Sequence, residues 1–270
     1  MSSIGQQTLY QNNLGLVFSG GGARGSYQVG VWRALKELGI TKYVTYVSGT
    51  SVGAINGASF VQNELDLTTE LWNNLSYSKV FSSLSDHISG RLRRREYYSI
   101  LRSLVQNRGL NVDPLKELLR SSLDENKIRR SSLGFGLVVF DLTNRKPRFL
   151  TKDDIPQGQL IDYVIASATF PVFEPHAIDD VKYLDGGIYD NRPLSLLSAT
   201  SEVDHILCID VTIARYLWPN KGRRKKLRIT YLRPSRLLGS PMAFRRDKIR
   251  RNMALGYDDT MKRLNSLNLP

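Results

Sequence analysis

The sequence of 270 residues is poor in the residue types that build disulfides, metal sites and membrane spans. Its single cysteine, Cys208, lies in the apolar run 206–209 and is expected to be a packed core thiol. With only three histidines, and no His, Cys and Asp at ligand spacing, neither a metal nor another cofactor is predicted. No apolar stretch approaches the roughly 20 residues that cross a bilayer. The polar residues 1–13 do not resemble a secretory leader, so we expect a cytoplasmic protein.

Positive charge is abundant and uneven. The 38 Lys and Arg exceed the 25 Asp and Glu by 13, and residues 221–251 alone hold 13 basic side chains against one acid, Asp247. A smaller basic cluster lies at Arg91 and 93–95. Such a surface suits an anionic membrane or nucleic acid, or is simply a solvated face. We expect peripheral membrane contact through 221–251 and consider nucleic acid less favoured; the oligomeric state is open.

Short apolar runs alternate with helical patterns along the chain. Candidate strands cover 14–18, 43–47, 136–140, 181–184 and 206–211, the last taken as the final core strand. Candidate helices cover 27–38, much of 66–130, 161–168 and 242–264, and residues 75–90 are expected to form a loop or lid. This order predicts an α/β fold of three layers, with a mostly parallel central sheet flanked by helices.

The central motif is Gly49-Thr50-Ser51-Val52-Gly53, which lies between a β-branched strand and a helix of small residues. Strand, Gly-x-Ser-x-Gly and helix in that order predict a nucleophile elbow, a sharp turn that lifts the serine hydroxyl out at the strand end. The pattern is common by chance, but here both flanking elements fit.

A second loop, Gly20 to Gly25, follows the first strand and can expose backbone N–H groups to a substrate oxygen. Two other interpretations are a mere tight turn and the Gly-x-Gly-x-x-Gly of a dinucleotide site. The dinucleotide site is disfavoured because no acidic residue follows the next strand, which ends in Ser48-Gly49-Thr50.

A serine hydroxyl needs a base, and the sequence offers four candidates. His205 follows Ser51 and Asp185 in the order of an α/β-hydrolase triad, but it precedes its strand and is expected at the wrong edge of the sheet. His176 is ambiguous, and His87 lies in the expected lid. Asp185 is the strongest candidate, because it ends a strand and two glycines follow it.

Together these motifs resemble the patatin-like phospholipases. Three segments look like the family's signature blocks: Gly20–Gly25, Gly49–Gly53 and Asp185–Gly187. Further segments are similar to family sequences, namely 166–171 with 173–175, and 249–252 with 256–258. The resemblance covers roughly residues 14–260. It implies a patatin-like catalytic domain at 14–212, with the basic tract and a C-terminal helix at 213–270 packed on the same domain.

The resemblance also implies a serine–aspartate dyad without histidine, with Ser51 as nucleophile and Asp185 as general base. The backbone N–H groups of Gly21, Gly22 and Ala23 would form the oxyanion hole, and Arg24 would support that loop. The supporting glycines would be Gly20, Gly25, Gly49, Gly53, Gly186 and Gly187. Gly187 stands where plant members often have alanine, and both residues are small.

The implied activity is lipid acyl hydrolysis of the phospholipase A or lysophospholipase type, through an acyl-enzyme and without a cofactor. Transfer of the acyl group to another alcohol is a close variant. The alternative from another class is a non-catalytic basic module that binds membrane or nucleic acid, with purely structural glycine loops.

Overall fold

A computed structural model describes residues 13–82, 109–199, 203–212 and 227–265. An eight-stranded sheet forms its centre. The strands are β1 (Leu14–Phe18), β2 (Val44–Thr50), β3 (Gly134–Asp141), β4 (Lys146–Thr151), β5 (His176–Ile178), β6 (Val181–Asp185), β7 (His205–Ile209) and β8 (Arg228–Leu232). The helices are α1 (Ser26–Glu37), α2 (Val52–Val61), α3 (Leu65–Asn73), α4 (Asp113–Ser122), α5 (Glu125–Arg130), α6 (Leu160–Ser167), α7 (Leu194–Ser198) and α8 (Arg246–Asn265).

The sheet is parallel at its centre and antiparallel at one side. Its order is β5-β6-β3-β2-β1-β7-β8, and β4 pairs with β3 away from this path. Strands β3, β2, β1, β7 and β8 are mutually parallel, whereas β4 and β6 run antiparallel to β3, and β5 runs antiparallel to β6. The carboxyl ends of β1 and β2 therefore meet at one edge, as their short connections predict.

Both faces of the sheet are covered, which confirms the predicted α/β fold with a mostly parallel central sheet. Alternate side chains of β1 point to opposite faces, so Leu16 and Phe18 join the larger core with α1, α2 and α3. Val17 lies on the other face in a smaller core with Leu197 of α7. Both faces of β1 are apolar because both are buried.

Helix α8 packs along α1 at close range. A Cβ on Gly30 would overlap the Met253 carbonyl, and a Cβ on Gly256 would overlap the Tyr27 carbonyl. Only glycine lets the two backbones approach this closely. Tyr257 of α8 donates a hydrogen bond to Glu37 of α1 at 2.9 Å. Close packing and this hydrogen bond together hold α8 against α1.

Two predicted elements are corrected by the structure. The strand at 206–211 is not the last one, because β8 follows inside the basic tract and pairs with β7. The C-terminal helix begins at Arg246 rather than 242, since 238–245 is an irregular segment.

Residues 75–82, the described part of the expected loop or lid, form a packed turn with Phe81 buried. His87, the cluster at 91–95 and residues 221–226 lie outside the described residues. No helix in the described ranges is long and apolar enough to cross a membrane.

Candidate active site

Ser51 lies at a strained turn between β2 and α2. Its φ of 59° and ψ of −132° are unfavourable for a residue with a side chain. A Cβ on Gly49 would overlap the Gly53 carbonyl, and one on Gly53 would overlap the Phe18 carbonyl. The two glycines are therefore required by space, and the turn presents the Ser51 side chain at the carboxyl edge of the sheet.

The surrounding residues hold this turn in place. The Ser51 N–H donates to Ser167 Oγ at 3.0 Å, and Ser167 Oγ donates to the Val138 carbonyl at 2.7 Å. Thr50 Oγ1 donates to the Asp190 carbonyl at 3.0 Å. The cost of the strained backbone is thus offset by contacts from β3, α6 and the segment after β6.

Asp185 is buried beside this turn. It ends β6 opposite Val139 of β3, while Thr50 pairs with Val138 on the other side of β3. Burial raises the pKa of Asp185 to about 6, although hydrogen bonding with the Ser51 side chain and the Gly187 N–H lowers it. The Gly187 bond to Asp185 Oδ1 is 2.7 Å long. The carboxyl is therefore a stronger base than an ordinary aspartate and lies next to the serine.

The glycine loop reaches the same point from β1. A Cβ on Gly20 would lie 3.1 Å from the Ser51 Cβ, which shows how close the loop is to the serine. The N–H groups of Gly21 and Gly22 make no hydrogen bond to the part of the chain that the structure describes. The Ala23 N–H differs, because it donates to the Pro241 carbonyl at 2.7 Å. Two of the three N–H groups expected to bind a substrate oxygen are thus open, and the third is occupied.

A segment from the C-terminal region supports this loop. We call residues Leu238–Phe244 the C-terminal strap. Besides the Pro241 contact, the strap accepts a hydrogen bond from Arg24 Nε to the Gly239 carbonyl at 2.7 Å. Gly22, at a φ of +56°, lies so close to the Pro241 carbonyl that a Cβ would overlap it. Arg24 thus links the glycine loop to the strap.

Asn191 joins the glycine loop to the aspartate loop. Its carbonyl accepts from the Gly20 N–H at 3.1 Å, and its side-chain Nδ2 donates to the Gly20 carbonyl at 3.2 Å and to Thr212 Oγ1 at 2.8 Å. A Cβ on Gly187 would lie 2.9 Å from Asn191 Oδ1. This buried side chain therefore fixes the spacing of the two loops that flank Ser51.

An apolar cavity of about 500 Å³ opens beside Ser51 and Asp185. Helices α2, α3 and α4, the turn before residue 82 and the strap form its walls. The apolar lining comprises Val52, Ile55, Leu71, Trp72, Leu75, Val80, Leu115, Leu118, Leu119, Phe170, Phe173, Ile188, Met242 and Phe244. The cavity is large and apolar enough for a hydrocarbon chain whose ester lies at the serine.

The described histidines lie elsewhere. His205 begins β7 at the amino edge and contacts Thr230 Oγ1 at 2.9 Å. His176 on β5 contacts Asp162 Oδ1 at 3.2 Å, and burial lowers its pKa. Neither contacts Ser51. Within the described ranges, no group of three or more His, Cys, Asp and Glu could hold a metal ion.

Known proteins resemble this chain in sequence and in fold. Residues 16–198 match the family model of the patatin-like phospholipases. The chain belongs to that family. The patatin-like match ends before the strap and α8, so the residues that hold the glycine loop from the C-terminal side lie outside the matched region.

Individual relatives are longer than this chain. An NTE family protein of Mycobacterium tuberculosis is 29% identical over 213 residues, which are 78% of this chain and 32% of that protein. The neuropathy target esterase sws of Drosophila melanogaster is 27% identical over 203 residues, 74% of this chain and 13% of that protein. The chain thus spans a third or less of these patatin-like relatives. The crystal structure of VipD from Legionella pneumophila shares the fold, with a TM-score of 0.60, 18% identity and coverage of 94% of this chain and 67% of VipD.

Two features of the site were not found from the sequence. Asn191 lies in Asp190-Asn191-Arg192-Pro193, and this sequence is typical of an ordinary turn. The strap contributes backbone carbonyls, which no residue type reveals. The one sequence feature that could have indicated a role for Asn191 is its position just after the Asp-Gly-Gly motif at 185–187.

Proposed function

We propose that this protein is a lipid acyl hydrolase with a Ser51–Asp185 dyad. The observation that carries the proposal is the placement of a strained serine beside a buried carboxyl, at the head of an apolar cavity. A pKa of about 6 leaves Asp185 mostly ionised at neutral pH and basic enough to accept a proton.

In the proposed reaction, Ser51 Oγ attacks the ester carbonyl while Asp185 accepts the hydroxyl proton. The tetrahedral intermediate collapses, the C–O bond to the alcohol breaks, and the alcohol leaves with the proton from Asp185. A water then attacks the acyl-enzyme, again giving its proton to Asp185, and the acid is released as Ser51 recovers its own. Asp185 gains and then returns one proton in acylation and again in deacylation, so the cycle balances without a cofactor.

The proposed oxyanion hole is made by the N–H groups of Gly21 and Gly22. Their freedom from other hydrogen bonds to described residues supports this assignment. Ala23, expected in the same role, already donates to Pro241, so it acts by fixing the loop instead of by binding the oxyanion. Preorganised donors of this kind stabilise the developing charge without rearrangement during the reaction.

A lipid ester is the substrate class that the site favours. The cavity suits an acyl chain, and the family and the esterase relative named above support ester chemistry. Within this class, a phospholipase A or lysophospholipase activity is the specific proposal, with acyl transfer to an alcohol as its close variant.

The proposed catalytic unit is 14–212, with 213–270 packed on it and completing the site through the strap. Peripheral contact with an anionic membrane through 221–251 is part of the proposal. The described part of that tract, 227–251, supports it with six exposed cations: Arg228, Arg236, Arg245, Arg246, Arg250 and Arg251.

A fluorophosphonate reagent tests the proposal directly, because it modifies an activated serine much faster than an ordinary one. We expect it to block hydrolysis of a soluble ester and to add its mass to the peptide that contains Ser51. Ser51→Ala should remain unlabelled, and Ser235→Ala, at an exposed serine far from the cavity, should label like the parent. A folded parent that neither labels nor hydrolyses any ester would favour the non-catalytic binding module.

A further inference from the structure

Exposed apolar side chains gather at the mouth of the cavity. Of the seven large apolar residues exposed in the described part of the chain, four lie here: Phe149 (37%), Phe170 (46%), Ile188 (45%) and Tyr189 (37%). We call these four the apolar rim. Isolated exposed apolar residues are ordinary, but a contiguous group beside a binding cavity indicates a contact surface.

The four side chains are connected through the structure. Phe170 and Ile188 both line the cavity while remaining almost half exposed. The turns that carry them lie side by side, because the Asp185 N–H donates to the Thr169 carbonyl at 2.7 Å. Tyr189 follows Ile188 and packs edge-on against Phe149, with ring centroids 6.1 Å apart. The rim is thus continuous from the cavity lining to the outer surface.

Positive charge flanks the same mouth on the strap side. Met242 and Phe244 line the cavity, and the exposed cations Arg245 and Arg246 follow them directly. Amphipathic aromatic residues and cations are the side chains that favour the interface between lipid headgroups and acyl chains. A protein partner would not require the surface to continue into a cavity shaped for a hydrocarbon chain.

We propose that the apolar rim inserts into the surface of an anionic phospholipid bilayer and holds the cavity mouth against it. This inference rests on the proposed function for the purpose of the contact, but membrane insertion is measured separately from ester hydrolysis. A lipid could then pass from the bilayer into the cavity along a continuous apolar surface, without crossing water.

A fluorescent probe tests insertion without removing any apolar side chain from the cavity. Cys208 is fully buried, so a cysteine placed at Phe149→Cys can be labelled selectively with a polarity-sensitive fluorophore. Leu67→Cys is the matched control, since Leu67 is 36% exposed, close to the 37% of Phe149, and does not line the cavity. Both are made with Ser51→Ala, so that the vesicles are not degraded.

On adding vesicles of equal parts phosphatidylcholine and phosphatidylserine, we expect a blue shift at position 149 and none at 67. Phe149→Ser with Tyr189→Ser should weaken vesicle binding at least tenfold, whereas Leu67→Ser should not. The conservative pair Phe149→Leu and Tyr189→Phe should retain binding. In an otherwise unmodified enzyme, the double serine variant should hydrolyse a small soluble ester at the parent's rate, because neither residue lines the cavity.

The contrary outcomes separate the two proposals. Bound protein with no shift at 149, or with equal shifts at 149 and 67, overturns insertion by the rim. Failure of the parent to bind these vesicles at all also overturns it. Vesicle binding with a shift at 149, in a protein that never hydrolyses an ester, supports the rim and refutes the enzyme.

Discussion

The two sides of the active site are encoded in different ways. On one side, the motif loops at 20–25, 49–53 and 185–187 carry side chains and glycines that cannot be exchanged without a clash or a lost reacting group. On the other, the C-terminal strap holds the glycine loop through the backbone carbonyls of Gly239 and Pro241, so no side chain of the strap takes part in these contacts. The residue types of the motif loops therefore specify the proposed reacting groups, whereas the fold specifies the backbone contacts that hold the glycine loop in place.

Removing the reacting groups should give the largest effect. We expect Ser51→Ala and Asp185→Asn each to lower kcat/KM for a soluble ester by roughly 10⁴-fold, because nucleophile and base act as a unit. Circular dichroism should show both variants folded. Asp153→Asn, at an exposed aspartate, is the control for the charge change. Near-normal turnover of Asp185→Asn would refute the dyad.

Disturbing the strap contact should cost less. Gly22→Ala places a Cβ against the Pro241 carbonyl and should lower kcat about a hundredfold, the usual effect of a displaced oxyanion donor. Gly39→Ala is the matched control, since Gly39 has a φ of +66° but open space around it. Both variants carry similar backbone strain, so a difference in kcat between them measures the strap contact. Equal rates would show that the strap does not position the loop.

The activity that depends on the motif loops should also change with pH. Because Asp185, as the proposed base, must be ionised to act, kcat/KM should fall about tenfold for each pH unit below about 6. A pH profile of a soluble ester, measured where the protein remains folded, checks this. Activity that stays constant from pH 7 to pH 4 would contradict the assigned base.

The free energy of unfolding should depend on pH in the opposite sense to kcat/KM. The folded pKa of Asp185, about 6, lies above its ordinary value of 3.8, so the folded state binds the extra proton between these pH values. Its contribution to the free energy of unfolding is fully present below pH 3.8 and is lost as the pH rises through 6, at a cost on the order of 3 kcal/mol. Urea unfolding of the parent and of Asp185→Asn at pH 5 and pH 8 tests the sign. We expect the variant to gain stability relative to the parent at pH 8.

Asn191 joins the glycine loop to the aspartate loop, and its removal should lower kcat less than the loss of the strap contact. Asn191→Ala removes the side-chain bonds to the Gly20 carbonyl and Thr212, and should lower kcat about tenfold with little change in KM. Asn74→Ala, at an exposed asparagine, should leave kcat unchanged. If both variants behave alike, Asn191 is not needed to space the loops.

The smallest effects are expected at the histidines. His205→Gln and His176→Gln should each keep turnover within about tenfold, a barrier change of about 1.4 kcal/mol, because both side chains are occupied away from Ser51. The same result is expected for His87→Gln from the sequence alone. A collapse of turnover in any of the three would indicate a triad that contains that residue.

Most of the fold and the motif side could be predicted from the sequence. Buried parallel strands such as β1 are continuous apolar runs, and the elbow is fixed by local sterics that leave glycine at both ends. The direction of β6 could not be predicted, because five residues carry no signal of whether they run with or against β3. β8 was missed because its one exposed side chain, Arg228, continues the basic run that begins at Lys221 and resembles a solvated tract.

The contact between Arg24 and Gly239 joins residues 215 positions apart in the chain. At ribosomal rates of about 5–20 residues per second, roughly ten to forty seconds separate the synthesis of the two. For most of that interval the nascent chain contains the elbow serine but lacks the carbonyls that hold the glycine loop. If the proposed hydrolysis needs the loop in this position, we expect competence to arise in a late step, when the strap and α8 dock, and not gradually as the motifs emerge.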